Sequence, residues 1–260
     1  MNKPIGIFDS GVGGTSIWKE LHTLMPNEST IYLADSKNAP YGEKSSEEIL
    51  QLSIKNTELL LEQDCKLIVV ACNTATTNAI NYLRKNYRVP FIGIEPAIKP
   101  AALQTKTKKV GVLATKGTLS SSLFFNTSKL YASGVKIYEQ EGSGLVELIE
   151  AGLYNSDAIR HLLKKFLEPM LAEGIDCLVL GCTHYPFLIP VLKEILPKNV
   201  GIIDSGRAVA QQTKAILEKN ELLCSDLAFN TSSIFYSNTE PEVLKKFIAI
   251  DAIKVSYLDF

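Results

Sequence analysis

The sequence predicts an α/β fold of two pseudo-symmetric, doubly wound domains with the active site in the cleft between them. Three observations carry that expectation. Short, wholly apolar runs alternate with helical patterns along the chain. Two segments of the first half find echoes in the second, Lys3–Ile7 in Lys109–Leu113 and Leu67–Thr74 in Leu178–His184. In the second echo a cysteine, Cys72 or Cys182, leaves a strand each time. Ligands of open α/β sheets bind beyond the C-terminal strand ends, so two facing domains would point both cysteines into one cleft.

The elements follow in order. Ile5–Phe8, Ile31–Ala34, Leu67–Ala71 and Phe91–Ile94 read as strands, because parallel sheets bury both faces. A helix is expected from Thr15 to Met25, stopped by Pro26. Another opens at Ser45-Ser46-Glu47-Glu48, a capping-box pattern, with Ile49, Leu52, Leu59 and Leu60 mostly on one face. A third follows Thr76 and ends near Asn86, and Glu95–Pro100 with Gln104–Lys109 reads as the crossover between halves. The second half predicts strands at Val110–Ala114, Val135–Tyr138, Cys177–Leu180 and Val200–Ile203, with helices over 118–131, 145–151, 157–173, 187–196 and 207–220. A strand at Ile234–Tyr236, a helix after Pro241 and a strand at Ile253–Leu258 complete the pattern.

Composition narrows the function classes. With 260 residues, 46% hydrophobic and 21% charged, the chain can bury an ordinary core and is not of disordered type. Lys and Arg number 27 against 28 Asp and Glu, which argues against a basic nucleic-acid binder. No run reaches the roughly 20 apolar residues of a membrane span, and Asp9 interrupts any apolar signal core. Five cysteines without a C-x-x-C pair fit neither a disulfide framework nor a zinc site, so a cytosolic protein with free thiols is expected.

Cys65, Cys177 and Cys224 read as small buried hydrophobes. Cys72 and Cys182 each stand where a strand gives way to polar residues, and helix N–H groups beyond them are expected to draw their pKa toward neutrality. Asp9-Ser10-Gly11-Val12-Gly13-Gly14 follows a strand and opens a helix, so its N–H groups are candidates to cradle a carboxylate. Ser16 breaks the dinucleotide pattern G-x-G-x-x-G. Asn73, Thr74 and Thr183 add amide and hydroxyl groups, and His184 could tune a thiol or supply a proton. Asp35, Glu150 and Asp204 either assist electrostatically or are ordinary surface carboxylates. A Cys–His hydrolase would leave the second cysteine without a task. Two matched thiols suit the movement of a proton between the two faces of one carbon. One thiolate removes it and the opposite thiol returns one, while preorganised donors stabilise the carbanion-like transition state.

Taken together, Asp9–Gly14, Pro40-Tyr41-Gly42, Ala71–Ala75, Ala114-Thr115-Lys116-Gly117-Thr118 and Gly181–Pro186 resemble the bacterial glutamate racemases. The resemblance runs from about residue 5 to 206, with a weaker echo at Phe235-Tyr236-Ser237, and Thr15 replaces a usual aliphatic residue. It implies interconversion of L- and D-glutamate without pyridoxal phosphate, metal or other cofactor, supplying D-glutamate for peptidoglycan. It implies that Cys72 handles the α-proton of the D-enantiomer and Cys182 that of the L-enantiomer, with Asp9, His184 and Glu150 assisting. Ser10, Tyr41, Gly42, Asn73, Thr74, Thr118 and Thr183 would hold the substrate with Asp9 and His184, and Thr115 offers the loop's other hydroxyl. The implied domains are 1–97 completed by 208–260, and 98–207, in a cytoplasmic homodimer whose partner is small-molecule glutamate, not nucleic acid or membrane. Related enzymes acting on aspartate, hydantoins or maleate share the paired-cysteine plan. A two-lobed anion-binding protein is the reading from another class, and turnover separates it from an enzyme.

Overall fold

A computed structural model describes residues 3–224, 231–248, 250 and 253–260. Two all-parallel sheets organise them. The first contains β1 (Ile5–Asp9), β2 (Thr30–Ala34), β3 (Leu67–Val70), β4 (Phe91–Gly93), β9 (Ser233–Ser237) and β10 (Lys254–Tyr257), in the order β10-β9-β2-β1-β3-β4. The second contains β5 (Lys109–Ala114), β6 (Lys136–Glu141), β7 (Cys177–Gly181) and β8 (Gly201–Ile203), in the order β6-β5-β7-β8. Every residue of β1, β2, β3 and β7 is buried, which is why their sequences are apolar apart from Asp9 at the end of β1 and Thr30 at the start of β2. The edge strand β6 instead exposes Lys136, Glu139 and Glu141, charges that discourage further strand pairing.

The order β2-β1-β3-β4 repeats as β6-β5-β7-β8, so the two sheets are wound alike. The repeat extends to register. Gly6 on β1 pairs with Ile68 on β3, and Gly111 on β5 pairs with Leu178 on β7. Cys72 and Cys182 each follow four residues after that partner. The glycines have a packing cause. A Cβ at Gly6 would lie 3.0 Å from Cys65 Sγ and 3.1 Å from Leu60, which belongs to α2 (Ser46–Glu62). A Cβ at Gly111 would lie 2.7 Å from Ile175 Cδ1 and 2.9 Å from Met170 Sδ, the latter on α8 (Asp157–Ala172).

The remaining helices are α1 (Thr15–Leu24), α3 (Asn73–Asn86), α4 (Ile98–Gln104), α5 (Lys116–Leu119), α6 (Ser122–Tyr131), α7 (Leu145–Glu150), α9 (Ile189–Ile195), α10 (Gly206–Lys219) and α11 (Pro241–Ile248). After β8 the chain returns to the first sheet: α10 packs on α1, and β9 pairs with β2. No described helix is long and apolar enough to cross a membrane.

Several elements depart from the sequence expectations. The crossover contains α4, whose Pro100 stands in the first turn, where no intrahelical N–H bond is required. The single helix expected over 118–131 is two, because Ser121 turns its hydroxyl to the N–H of Phe124 and caps α6. Helix α3 begins at Asn73, ahead of the expected start after Thr76, with Cys72 as its N-cap. The helix over 187–196 is a 3-10 turn, Tyr185–Leu188, followed by α9. Strand β6 runs on to Glu141, hydrogen-bonded to β5 throughout.

Gly6→Ala and Gly111→Ala are each expected to cost about 1–3 kcal/mol through overpacking. Chemical denaturation reads this as an earlier midpoint, without loss of activity per folded molecule.

Candidate active site

Residues just beyond the ends of β1, β2, β3, β5 and β7 line one small cavity. They are Ser10, Pro40–Gly42, Cys72–Thr74, Thr115 and Cys182–His184, closed by Val146 of α7. An adjoining hollow shares Pro40, Gly42, Thr115 and Val146, and its rim includes exposed Lys116, Glu141 and Ser143. Both cysteines of the repeat therefore face one space, one from each sheet.

The two thiols are supported differently. The N–H of Ala75 donates to Cys72 Sγ at 3.4 Å, and the Cys72 thiol lies 3.8 Å from Ser10 Oγ. Burial pushes the Cys72 thiol far above its ordinary range, and the nearby Asp9 charge adds to the rise; the Ala75 N–H and the Ser10 hydroxyl oppose it without reversing it. The expected drift toward neutrality is thus corrected for Cys72: the helix N-terminus is present, but desolvation outweighs it. Cys182 has no helix cap, because Thr183 intervenes before the 3-10 turn. His184 Nδ1 lies 3.7 Å from Cys182 Sγ instead, and His184 Nε2 donates to Glu150 Oε1 at 2.5 Å. Burial alone would lower the His184 pKa. Hydrogen bonds and charges from Cys182 and Glu150 carry it well above the histidine range, a setting that favours the imidazolium.

The Gly11–Gly14 loop holds carboxylates, but they belong to the protein. Val12 N–H donates to Glu150 Oε1 at 2.8 Å, and Gly14 N–H donates to Asp9 Oδ2 at 2.8 Å. The cradle expected for a substrate is occupied at those two amides. Glycine is required because a Cβ at Gly11 would overlap the Glu150 carboxylate and one at Gly13 the His184 ring. Burial raises the Asp9 carboxyl to about 6; His184 and the N–H groups of Gly14 and Ser10 hold the rise back, and Glu150 adds to it. Asp9 does not line the cavity. It lies behind Thr183, whose hydroxyl donates to Asp9 Oδ1 at 3.3 Å.

Asn73 is fully enclosed at the cavity wall, and neither polar atom of its side chain has a hydrogen-bond partner among the described residues. Such an orphan costs about 1–3 kcal/mol and calls for a ligand. Beside it, the hydroxyls of Thr74, Thr115 and Thr118 form a triangle with sides of 2.9, 3.0 and 3.4 Å. Thr115 lines the cavity and Thr118 stands behind it. The Tyr41 hydroxyl donates to Asp35 Oδ2 at 2.5 Å and accepts from Asn56 at 3.2 Å, so it is fully engaged away from a ligand.

Asp35 is buried and bound by Tyr41, Asn38 and Asn238, so its place is to hold Tyr41. Asp204 is an exposed residue whose carboxylate accepts the N–H of Gly206 at the start of α10, away from the cavity. Sequence reading missed Val146, which carries no chemical signal, and Ser36, whose hydroxyl donates to Glu150 Oε2 at 3.2 Å.

Comparison with known proteins shows the family. The family model described as Asp/Glu/Hydantoin racemase matches residues 14–213. The chain belongs to that family. Racemases are isomerases, and the chain is an enzyme of that class. A glutamate racemase of Ectopseudomonas mendocina is 51% identical over 226 residues, covering 86% of each chain. A solved glutamate racemase from Bacillus anthracis superposes with a TM-score of 0.88 at 30% identity, covering 99% of this chain and 98% of that one. Another from Escherichia coli, in complex with L-glutamate and the activator UDP-MurNAc-Ala, gives 0.87 at 34% identity, covering 98% and 97%.

Glu150→Gln is expected to release the imidazolium. In an NMR pH titration the His184 ring should remain protonated well past neutrality in the parent. In the variant it should fall toward the ordinary value of about 6.5.

Proposed function

We propose that the protein is a cytoplasmic glutamate racemase, acting as a homodimer without cofactor and supplying D-glutamate for peptidoglycan. One observation carries the reading: equivalent strand ends of two like-wound sheets each deliver a cysteine to the same small cavity. Relatives named glutamate racemase, similar over most of their length, support the choice of glutamate. We take the lobes to be 1–97 with 208–260, and 98–207; the return of β9 and β10 to the first sheet supports that division.

In the L to D direction, Cys182 acts as a thiolate beside the His184 imidazolium and removes the α-proton. The Cys72 thiol then delivers its proton to the opposite face of the carbon, leaving a Cys72 thiolate and a Cys182 thiol. Ionised Asp9 favours the protonated form of Cys72, the form a donor needs, and makes the resulting thiolate a stronger base for the return reaction. The Asn73 amide and the Thr74 and Thr115 hydroxyls offer hydrogen bonds to the substrate carboxylates. Burial keeps water from the carbanion-like transition state, and each tenfold of rate needs about 1.4 kcal/mol of preferential stabilisation.

Circular dichroism should show both glutamate enantiomers losing optical activity without added cofactor, and L-aspartate unchanged. Cys72→Ser and Cys182→Ser should each lose roughly 10²–10⁴-fold in turnover while still binding glutamate. Unchanged turnover in either variant would sink the two-thiol mechanism. Activity on aspartate alone would reassign the substrate.

A further inference from the structure

Tyr32 lies on β2, is fully buried and does not line the cavity. Its ring stacks on Phe235 of β9 at 5.1 Å, and Phe235 meets Trp18 of α1 edge-on at 4.9 Å. Its hydroxyl donates to the Gly11 carbonyl at 2.8 Å. A Cβ at Gly14 would stand 2.7 Å from that hydroxyl oxygen, so the glycine loop rests directly on the phenol. The Gly11 carbonyl and the Val12 N–H belong to one planar trans peptide and point in opposite directions. Fixing the carbonyl on Tyr32 therefore aims the N–H away from it, and this N–H donates to Glu150 Oε1 at 2.8 Å. The same carboxylate oxygen accepts His184 Nε2, whose ring reaches Cys182. A continuous chain thus runs from Tyr32 through the Gly11–Val12 peptide, Glu150 and His184 to one thiol. Polarisation passes through the peptide from the Tyr32 hydroxyl to the Val12 N–H, whereas at Glu150 Oε1 the Val12 and His184 donors converge on one acceptor, so the link from there to His184 is positional.

We propose that Tyr32 is a positioning residue for the Cys182 arm: by orienting the Gly11–Val12 peptide it sets the Glu150 carboxylate, and with it the imidazolium that faces Cys182. The inference rests on the racemase reading for its kinetic consequence, but the relay itself can be read without turnover. Tyr32 also neighbours Asp9 and Cys72 electrostatically, so the readout must be specific to His184.

Tyr32→Phe keeps the ring and its stacking and removes only the hydroxyl. Trp18→Phe is the comparison, since it deletes another buried donor of the same aromatic stack, the indole N–H bonded to Thr30 Oγ1 at 3.0 Å, without touching the loop. Both are assayed at a temperature where circular dichroism finds them folded. Tyr32→Phe should lose about ten- to a hundredfold in kcat, equally for both enantiomers, with KM within about twofold. Its His184 titration midpoint should fall, while Trp18→Phe retains the parent's kcat and midpoint. A folded Tyr32→Phe with the parent's midpoint and kcat would overturn the proposal, as would equal losses in Trp18→Phe. A parent that does not racemise glutamate would instead refute the functional reading, and the His184 midpoints would still decide the relay.

Discussion

Glu150 accepts hydrogen bonds from Val12 N–H and the Ser36 hydroxyl beside the first sheet, and from His184 beside the second; the rest of the site depends on this bridge. Carboxylate and imidazolium can approach the first sheet only because Gly11 and Gly13 present bare backbone. Further contacts follow from the same approach. The Ser16 hydroxyl donates to the Thr183 carbonyl, and the Thr183 hydroxyl to Asp9. Both oxygens of Asp9 are engaged, and the cavity closes with a cysteine from each sheet on its wall.

Pseudo-symmetry supplies two equivalent positions, but chemistry at those positions is not duplicated. Cys72 caps a helix and sits beside a carboxylate, a setting that favours the protonated thiol. Cys182 has no such cap and faces the His184 ring instead. Racemisation by two such groups needs one base and one acid on opposite faces of the carbon, and the two exchange roles when the direction reverses. The unpartnered amide of Asn73 and the hydroxyl-bearing Thr74 and Thr115 line the same cavity as both thiols.

Most of the fold was legible in the sequence because parallel strands covered on both faces must be apolar throughout. Leu67–Val70 and Cys177–Gly181 announce themselves that way. The end of β6 did not, since an edge strand carries charges. Nor did α4, because Pro100 suggests a loop when its tolerance in a first helical turn is ignored. At the site, the cysteines were legible through their repetition. The occupied glycine-loop amides were not, because the carboxylate that meets Val12 lies 138 residues away. The task of Asp35 was hidden for the same reason: its partner Asn238 is 203 residues distant. Side chains whose role is set by distant partners leave no local pattern.

In the proposed reaction one thiol takes the α-proton and the other returns a different one. Proton NMR of the enzyme with L-glutamate in D₂O, sampled early in the reaction, tests it most directly. Newly formed D-glutamate should carry deuterium at the α-position while the remaining L-glutamate keeps its proton. Deuterium entering the L-glutamate pool as fast as D-glutamate forms would mean that a single group handles both faces, and would contradict the paired-thiol account.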